Sequence, residues 1–175
     1  MTESLRRTLL WLGATVTLLA GLHHLDHVAR GNHVGWPLIA AFTPFTPSLL
    51  IYVLLLGGLY GTARDRLGPR YWTVTAVALL LLVVSVHFNP DPHSESWRDI
   101  YVPYVTPAAY CGPAPPVDPP APGASWLCGP PIAPPRAWLG VLALVNLGLL
   151  IGTLVALLLL ALRAWRAERR DAVVG

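Results

Sequence analysis

Long apolar runs separated by short polar or proline-rich segments dominate the chain. Three of these runs extend from Thr8 to about Ala29, from Trp72 to Phe88 and from Ala137 to Ala164. An α-helix rises about 1.5 Å per residue, so roughly 20 apolar residues cross the ~30 Å hydrocarbon layer of a bilayer. The pattern therefore predicts membrane-spanning helices over 8–29, 72–88 and 137–164.

A further apolar segment over 36–60 is interrupted by prolines in its first half. Proline inside a helix removes a backbone hydrogen bond and clashes with the preceding turn. Thr46 followed by Pro47 has the pattern of an N-cap with proline at the first helical position. We therefore expect a fourth span over 46–62, preceded by an outer loop or a short interfacial helix. The predicted fold is all-α: residues 1–175 form a single membrane domain, a polytopic four-transmembrane-helix bundle.

Composition agrees with a membrane protein. The hydrophobic fraction is 54% and the charged fraction 12%, about half the charged share of a typical soluble domain. The net charge is +3, but no basic patch interleaved with aromatic residues follows the chain as nucleic-acid binding would require. The expected partner is the lipid bilayer and not nucleic acid. A homo-oligomer or a larger membrane complex is left open.

The basic residues are all arginines, and their distribution predicts the orientation. Nine lie at the N-terminus, in the 63–71 loop or in the C-terminal tail, against three in the two other loops. The positive-inside rule then places both termini and the 63–71 loop in the cytoplasm. Exclusive use of arginine is typical of a GC-rich prokaryotic genome, so a multi-pass protein of the cytoplasmic (inner) membrane is expected. Aromatic-belt anchors are predicted near span ends, at Trp36, Trp72, Trp138 and Trp165.

The segment over 89–136 is predicted to be a proline-rich extracytoplasmic loop. It holds 14 of the 18 prolines of the chain, which favour stiff, extended geometry and suit a covering lid or spacer. Both cysteines, Cys111 and Cys128, also lie in it. Because the predicted orientation puts them in an oxidising space, a structural Cys111–Cys128 disulfide is expected.

The strongest chemical signal is a group of polar residues at the outer end of the first span. His23, Asp26 and His27 are spaced i, i+3 and i+4, so a helix presents them on one face. Two histidines four residues apart can offer two imidazoles to one metal ion. Asp26 is expected to be a third ligand or a carboxylate that orients an imidazole. Ionisable residues in a membrane span are costly and usually mark a functional site.

A fourth ligand candidate, His87, ends the third predicted span. Because the first and third spans both reach the outer surface here, His87 can meet His23 and His27 if the two helices are neighbours. The hypothesis is a metal site of His23, Asp26, His27 and His87. Weaker candidates are His33 and His93, and candidate general bases for a metal-bound water are Asp91 and Glu95.

The expected cofactor is a divalent transition metal, and Zn, Fe, Mn and Cu all accept such ligands. The alternatives are a b-type haem held by His87 with His23 or His27 for electron transfer, and a non-catalytic structural or accessory subunit. A proton-handling histidine cluster or purely structural polar packing would explain the same residues. Catalysis is not decided by the sequence, and no substrate is indicated.

Overall fold

The described part of the chain, in a computed structural model, comprises residues 1–29, 49–88, 97–106 and 136–174. The regular structure of these residues is entirely α-helical. The helices are α1 (Glu3–Ala29), α2 (Leu50–Ala63), α3 (Pro69–His87), α4 (Trp97–Val105) and α5 (Ala137–Val174).

Three of these helices are long and apolar enough to cross a membrane, over Glu3–His27, Pro69–His87 and Ala137–Ala172. The chain therefore has the character of a membrane protein in contact with lipid. Helix α2 is also apolar, but its 14 residues span only about 21 Å, less than the ~30 Å hydrocarbon layer. The fourth span stays a prediction.

Capping interactions explain where α1 begins and where α2 ends. The Thr2 hydroxyl accepts a hydrogen bond from Leu5 N at 3.3 Å, which is N-capping. After α2, Asp65 adopts a positive φ of 57°. Its N–H donates to Thr62 O at 3.0 Å, and Arg66 N–H donates to Gly61 O at 2.8 Å. These two bonds are a Schellman motif.

The chain divides into two compact units, each with its own packing. The first consists of 1–20, 50–85 and 149–175. Its core is centred on Trp72, which is fully buried and donates its indole N–H to Thr62 Oγ1 at 2.8 Å. A Cβ on Gly13 would lie 2.5 Å from the Trp72 ring, and one on Gly58 3.1 Å from it. Glycine therefore makes the space in α1 and α2 into which the indole of α3 fits.

The burial of Trp72 corrects one sequence prediction. The sequence predicts Trp72 at the membrane interface, but the structure places it in the core of the first unit with no exposed surface. Trp138, by contrast, is exposed. The first-turn position of Trp72 in α3 resembles that of an interfacial anchor, and only the glycines opposite it show that it packs inward.

The second unit consists of 21–49 and 86–148. Its described residues are 21–29, 49, 86–88, 97–106 and 136–148. Both tyrosines of helix α4 contact residues at the start of α5. Arg136 N–H donates to Tyr104 O at 2.7 Å, and a Cβ on Gly140 would lie 2.6 Å from the Tyr101 ring. This unit contains the polar residues singled out by the sequence.

Several predicted features lie outside the described residues. They are the interfacial segment before α2, the extended course of most of the proline-rich loop, and the Cys111–Cys128 disulfide. The disulfide and the loop stay predictions.

Candidate metal centre

Three of the four candidate ligands are histidines. His23 and His27 lie one turn apart on α1, and His87 is the last residue of α3. Residues four apart on a helix have neighbouring side chains on one face. The helix continues through both histidines, so the i, i+4 relation predicted from the sequence holds in the structure. All three histidines belong to the second unit.

The three imidazoles converge through their Nε2 atoms. His23 Nε2 lies 3.0 Å from His87 Nε2 and 3.1 Å from His27 Nε2. The ligand atoms of the three residues all lie within 4.8 Å of one another. The rings of His23 and His27 meet edge to face, with their centroids 4.6 Å apart. Three imidazole nitrogens from two helices therefore point toward one small volume.

The group is largely withdrawn from solvent. The exposed fraction of the residue is 7% for His27 and 5% for His87, and His23 is partly buried. Burying imidazoles costs free energy unless each nitrogen has a partner. A buried cluster of three is thus expected to have a specific stabilising interaction at its centre.

Hydrogen bonding alone accounts poorly for this arrangement. A ring nitrogen offers one in-plane direction, either as an N–H donor or as a lone-pair acceptor. His23 Nε2 has two nitrogen neighbours within 3.1 Å, and one hydrogen bond serves only one of them. A cation placed between three lone pairs would interact favourably with all three nitrogens at once.

The spacing also agrees with coordination to one ion. Two imidazole nitrogens bound to the same zinc ion, each at about 2.0–2.1 Å, lie roughly 3.0–3.4 Å apart. The His23–His87 and His23–His27 nitrogen pairs, at 3.0 and 3.1 Å, fall at the short end of this range. These residues could hold a metal ion through three nitrogens, leaving a coordination position open.

Asp26, the remaining predicted ligand, does not join the group of three among the described residues. Its carboxylate Oδ1 accepts a hydrogen bond from the hydroxyl of Tyr104. Asp26 is three residues from His23, so these two side chains are neighbours on α1. The contact links α4 to the face of α1 that carries the two histidines.

Tyr104 is the residue that sequence reasoning missed. It is 3% exposed and lies in α4, within the segment that proline content predicted to be a loop. A signal was present: the stretch WRDIYVPYV holds one proline, and it places Tyr101 and Tyr104 three residues apart, on the same side of a helix.

His33, His93, Asp91 and Glu95 all lie outside the described residues. Their proposed roles as weaker ligands or as general bases stay predictions. His24, which the spacing directs away from the other two α1 histidines, is partly buried and is not one of the three converging residues.

Comparison with known proteins gives no relative. No protein-family model, curated protein or solved structure matches the chain. The convergence of the three imidazoles is therefore the main guide to function.

Proposed function

We propose that this protein is a membrane metalloprotein that binds one divalent transition-metal ion through the Nε2 atoms of His23, His27 and His87. The observation that supports the proposal is the approach of His23 Nε2 to both other nitrogens, at 3.0 and 3.1 Å. Asp26 acts from outside the ligand set, held by Tyr104, as a carboxylate that orients the α1 imidazoles.

The ligand set narrows the choice of metal. Imidazole suits Zn, Cu, Fe and Ni, whereas Mn, Mg and Ca favour oxygen ligands. Of the metals considered from the sequence, Zn, Cu and Fe therefore fit a three-imidazole site better than Mn does. Among them, divalent copper binds nitrogen ligands most strongly, and zinc is well suited to tetrahedral coordination by three histidines and one further ligand.

The number of protein ligands bears on the reaction. Three protein ligands with a fourth position for water or substrate is typical of catalytic zinc sites, whereas structural sites use four. The site is thus proposed to be open to an exogenous ligand. Asp91 and Glu95 are proposed, from the sequence alone, as general bases for a water bound at that position.

The topology is part of the same proposal. Helix α2 serves as the fourth span, and the arginine distribution places both termini in the cytoplasm of a prokaryotic cell. The histidine group then lies toward the outer face of the inner membrane. Single cysteine substitutions at Thr2 and at Phe88, treated with a membrane-impermeant thiol reagent added from outside, would test this topology. We expect the reagent to label the cysteine at position 88 and not the one at position 2.

The geometry is less favourable for a haem held between His23 and His87. Two histidines on opposite sides of a haem iron have their Nε2 atoms roughly 4 Å apart, with the porphyrin between them. The 3.0 Å between His23 Nε2 and His87 Nε2 leaves no room for that plane. A purified protein with a Soret absorbance band would nevertheless support haem over a single ion.

Metal content of purified protein tests the proposal, and the chain offers a matched control. Wild type and His24→Ala are expected to bind about one equivalent of metal. His27→Ala is expected to lose most of it, because His27 is a proposed ligand and His24 is not. Elemental analysis after dialysis against a weak chelator provides the measurement. Equal metal content in the two histidine variants would contradict the proposed site, and would favour a structural or accessory role.

A further inference from the structure

The C-terminal part of α5 carries a second chemical feature, unrelated to the histidines. Beyond the apolar segment that ends at Leu162, the helix continues with four arginines and two acidic residues. The arginines are Arg163, Arg166, Arg169 and Arg170, and the acids are Glu168 and Asp171. All four arginines are exposed. We refer to these four as the arginine face of α5.

Helical spacing separates the two signs of charge. At about 100° per residue, the arginine face covers an arc of roughly 120°, and both acids project outside it. Neither Glu168 nor Asp171 is three or four residues from any of the four arginines, so the usual intrahelical ion pairs cannot form. In the described part of the chain, ion pairs are made by Arg6 and Arg7 with Glu3 and not by the arginine face.

The position of this charge along the helix points to its partner. The arginines follow directly on the apolar segment of α5, whose 38 residues extend about 57 Å, far beyond the ~30 Å hydrocarbon layer. Trp165 lies among them, and the Arg169 guanidinium stands over its ring at 6.0 Å. Tryptophan at the end of a span is typical of headgroup depth. We therefore expect the arginine face at the level of lipid phosphates.

We propose that the arginine face of α5 binds the headgroups of anionic phospholipids. Guanidinium groups donate paired hydrogen bonds to phosphate oxygens, and basic residues beside a span attract anionic lipids electrostatically. Arginines without carboxylate partners keep their full charge for this interaction. Arg6 and Arg7, neutralised in part by Glu3, contribute less.

The test compares two variants with the same change in total charge. Full-length protein is reconstituted in vesicles of mixed phosphatidylglycerol and phosphatidylcholine, and the lipids retained after gentle extraction are counted by mass spectrometry. Wild type is expected to retain phosphatidylglycerol in excess of its share in the vesicle. The preference should fall roughly tenfold in R166Q/R170Q and stay near wild type in R6Q/R7Q.

Equal losses in R166Q/R170Q and R6Q/R7Q would overturn the proposal, because the preference would then follow net charge. A wild type without preference would also overturn it and would favour an acidic protein as the partner of this face. Should R166Q/R170Q fail to fold, E168Q/D171N provides a second reading. Removing the acids is expected to raise phosphatidylglycerol retention, and an unchanged or lower retention would contradict the proposal.

Discussion

The Nε2 atoms of His23 and His87 lie 3.0 Å apart, although the two residues are 64 positions apart in the chain. The contact joins α1 to the last residue of α3 within one compact unit. Because His27 Nε2 is 3.1 Å from the same His23 nitrogen, this one atom is the centre of the group. The metal proposal depends on that arrangement.

Replacing His87 tests whether α3 contributes to metal binding. His87→Ala removes one of three nitrogens, and we expect the metal affinity to fall by more than the ~10–100-fold typical of losing an outer-shell partner. Competition with a chromophoric chelator measures the affinity. Ser85→Ala is a suitable control on the same helix, because Ser85 is exposed and its hydroxyl, among the described residues, donates only to Leu82 O. A Kd in His87→Ala equal to that of Ser85→Ala would exclude His87 as a ligand.

The Tyr104–Asp26 hydrogen bond is expected to hold α4 against α1. Tyr104→Phe removes the donor and leaves a partly buried carboxylate with one partner fewer, so the free energy of unfolding should fall by about 1.5–3 kcal/mol. Metal affinity should fall with it, because Asp26 would lose the contact that orients it. Thermal unfolding and chelator competition give the two values.

Tyr101→Phe is the matched control for Tyr104→Phe. Its ring packs on Gly140, and the described contacts of Tyr101 include no hydrogen bond from its hydroxyl. We expect little change in stability or in affinity. Similar losses of stability and of metal affinity in the two variants would contradict the role given to the hydrogen bond between Tyr104 and Asp26.

Gly13 is required by the close packing of Trp72. A Cβ at Gly13 would stand 2.5 Å from the rigid, fully buried indole, so Gly13→Ala should destabilise by about 1–3 kcal/mol. Gly21 lies on the same helix, and a Cβ there would meet no atom of the described residues within 4 Å. Gly21→Ala should therefore be neutral or stabilising, by up to about 1 kcal/mol. Equal unfolding midpoints for the two alanine variants would contradict the packing described for Trp72.

Asp65 is strained at the end of α2, and relieving the strain should stabilise the protein. Its φ of 57° lies in the left-handed region, which costs a non-glycine residue about 1–2 kcal/mol. Asp65→Gly keeps both Schellman hydrogen bonds. Its free energy of unfolding should rise by about 0.5–1 kcal/mol, because the strain relieved exceeds the entropic cost of ordering a glycine. Asp65→Val, whose branched side chain tolerates this region poorly, should lose stability. A lower unfolding midpoint for the glycine variant than for wild type would be inconsistent with this turn.

The helical class and the convergence of the histidines could both be predicted from sequence, because each depends on simple spacing. Apolar runs of sufficient length predict membrane helices, and three are present in the structure. The i, i+4 pair on α1 and a histidine at the end of α3 predict a meeting point if the helices are neighbours. The structure brings these side chains together, and their role as ligands stays a prediction.

Other features depend on packing that spacing does not encode. The inward orientation of Trp72 requires glycines on two other helices, at Gly13 and Gly58. The proline content of 89–136 predicted a loop where the structure has helix α4. The contact of Tyr104 with Asp26 could therefore not be predicted either. A nine-residue helix has too few turns for a periodic pattern to be distinguished from a loop.

X-ray absorption spectroscopy of the zinc- or copper-loaded protein tests the central claim most directly, because it reports the atoms bound to the metal. We predict three imidazole nitrogens at about 2.0–2.1 Å from the ion, with the multiple-scattering signal of the rings, and a smaller number in His23→Ala. A spectrum with sulfur ligands, or one with the same number of imidazoles after His23 is replaced, would contradict the three-histidine site.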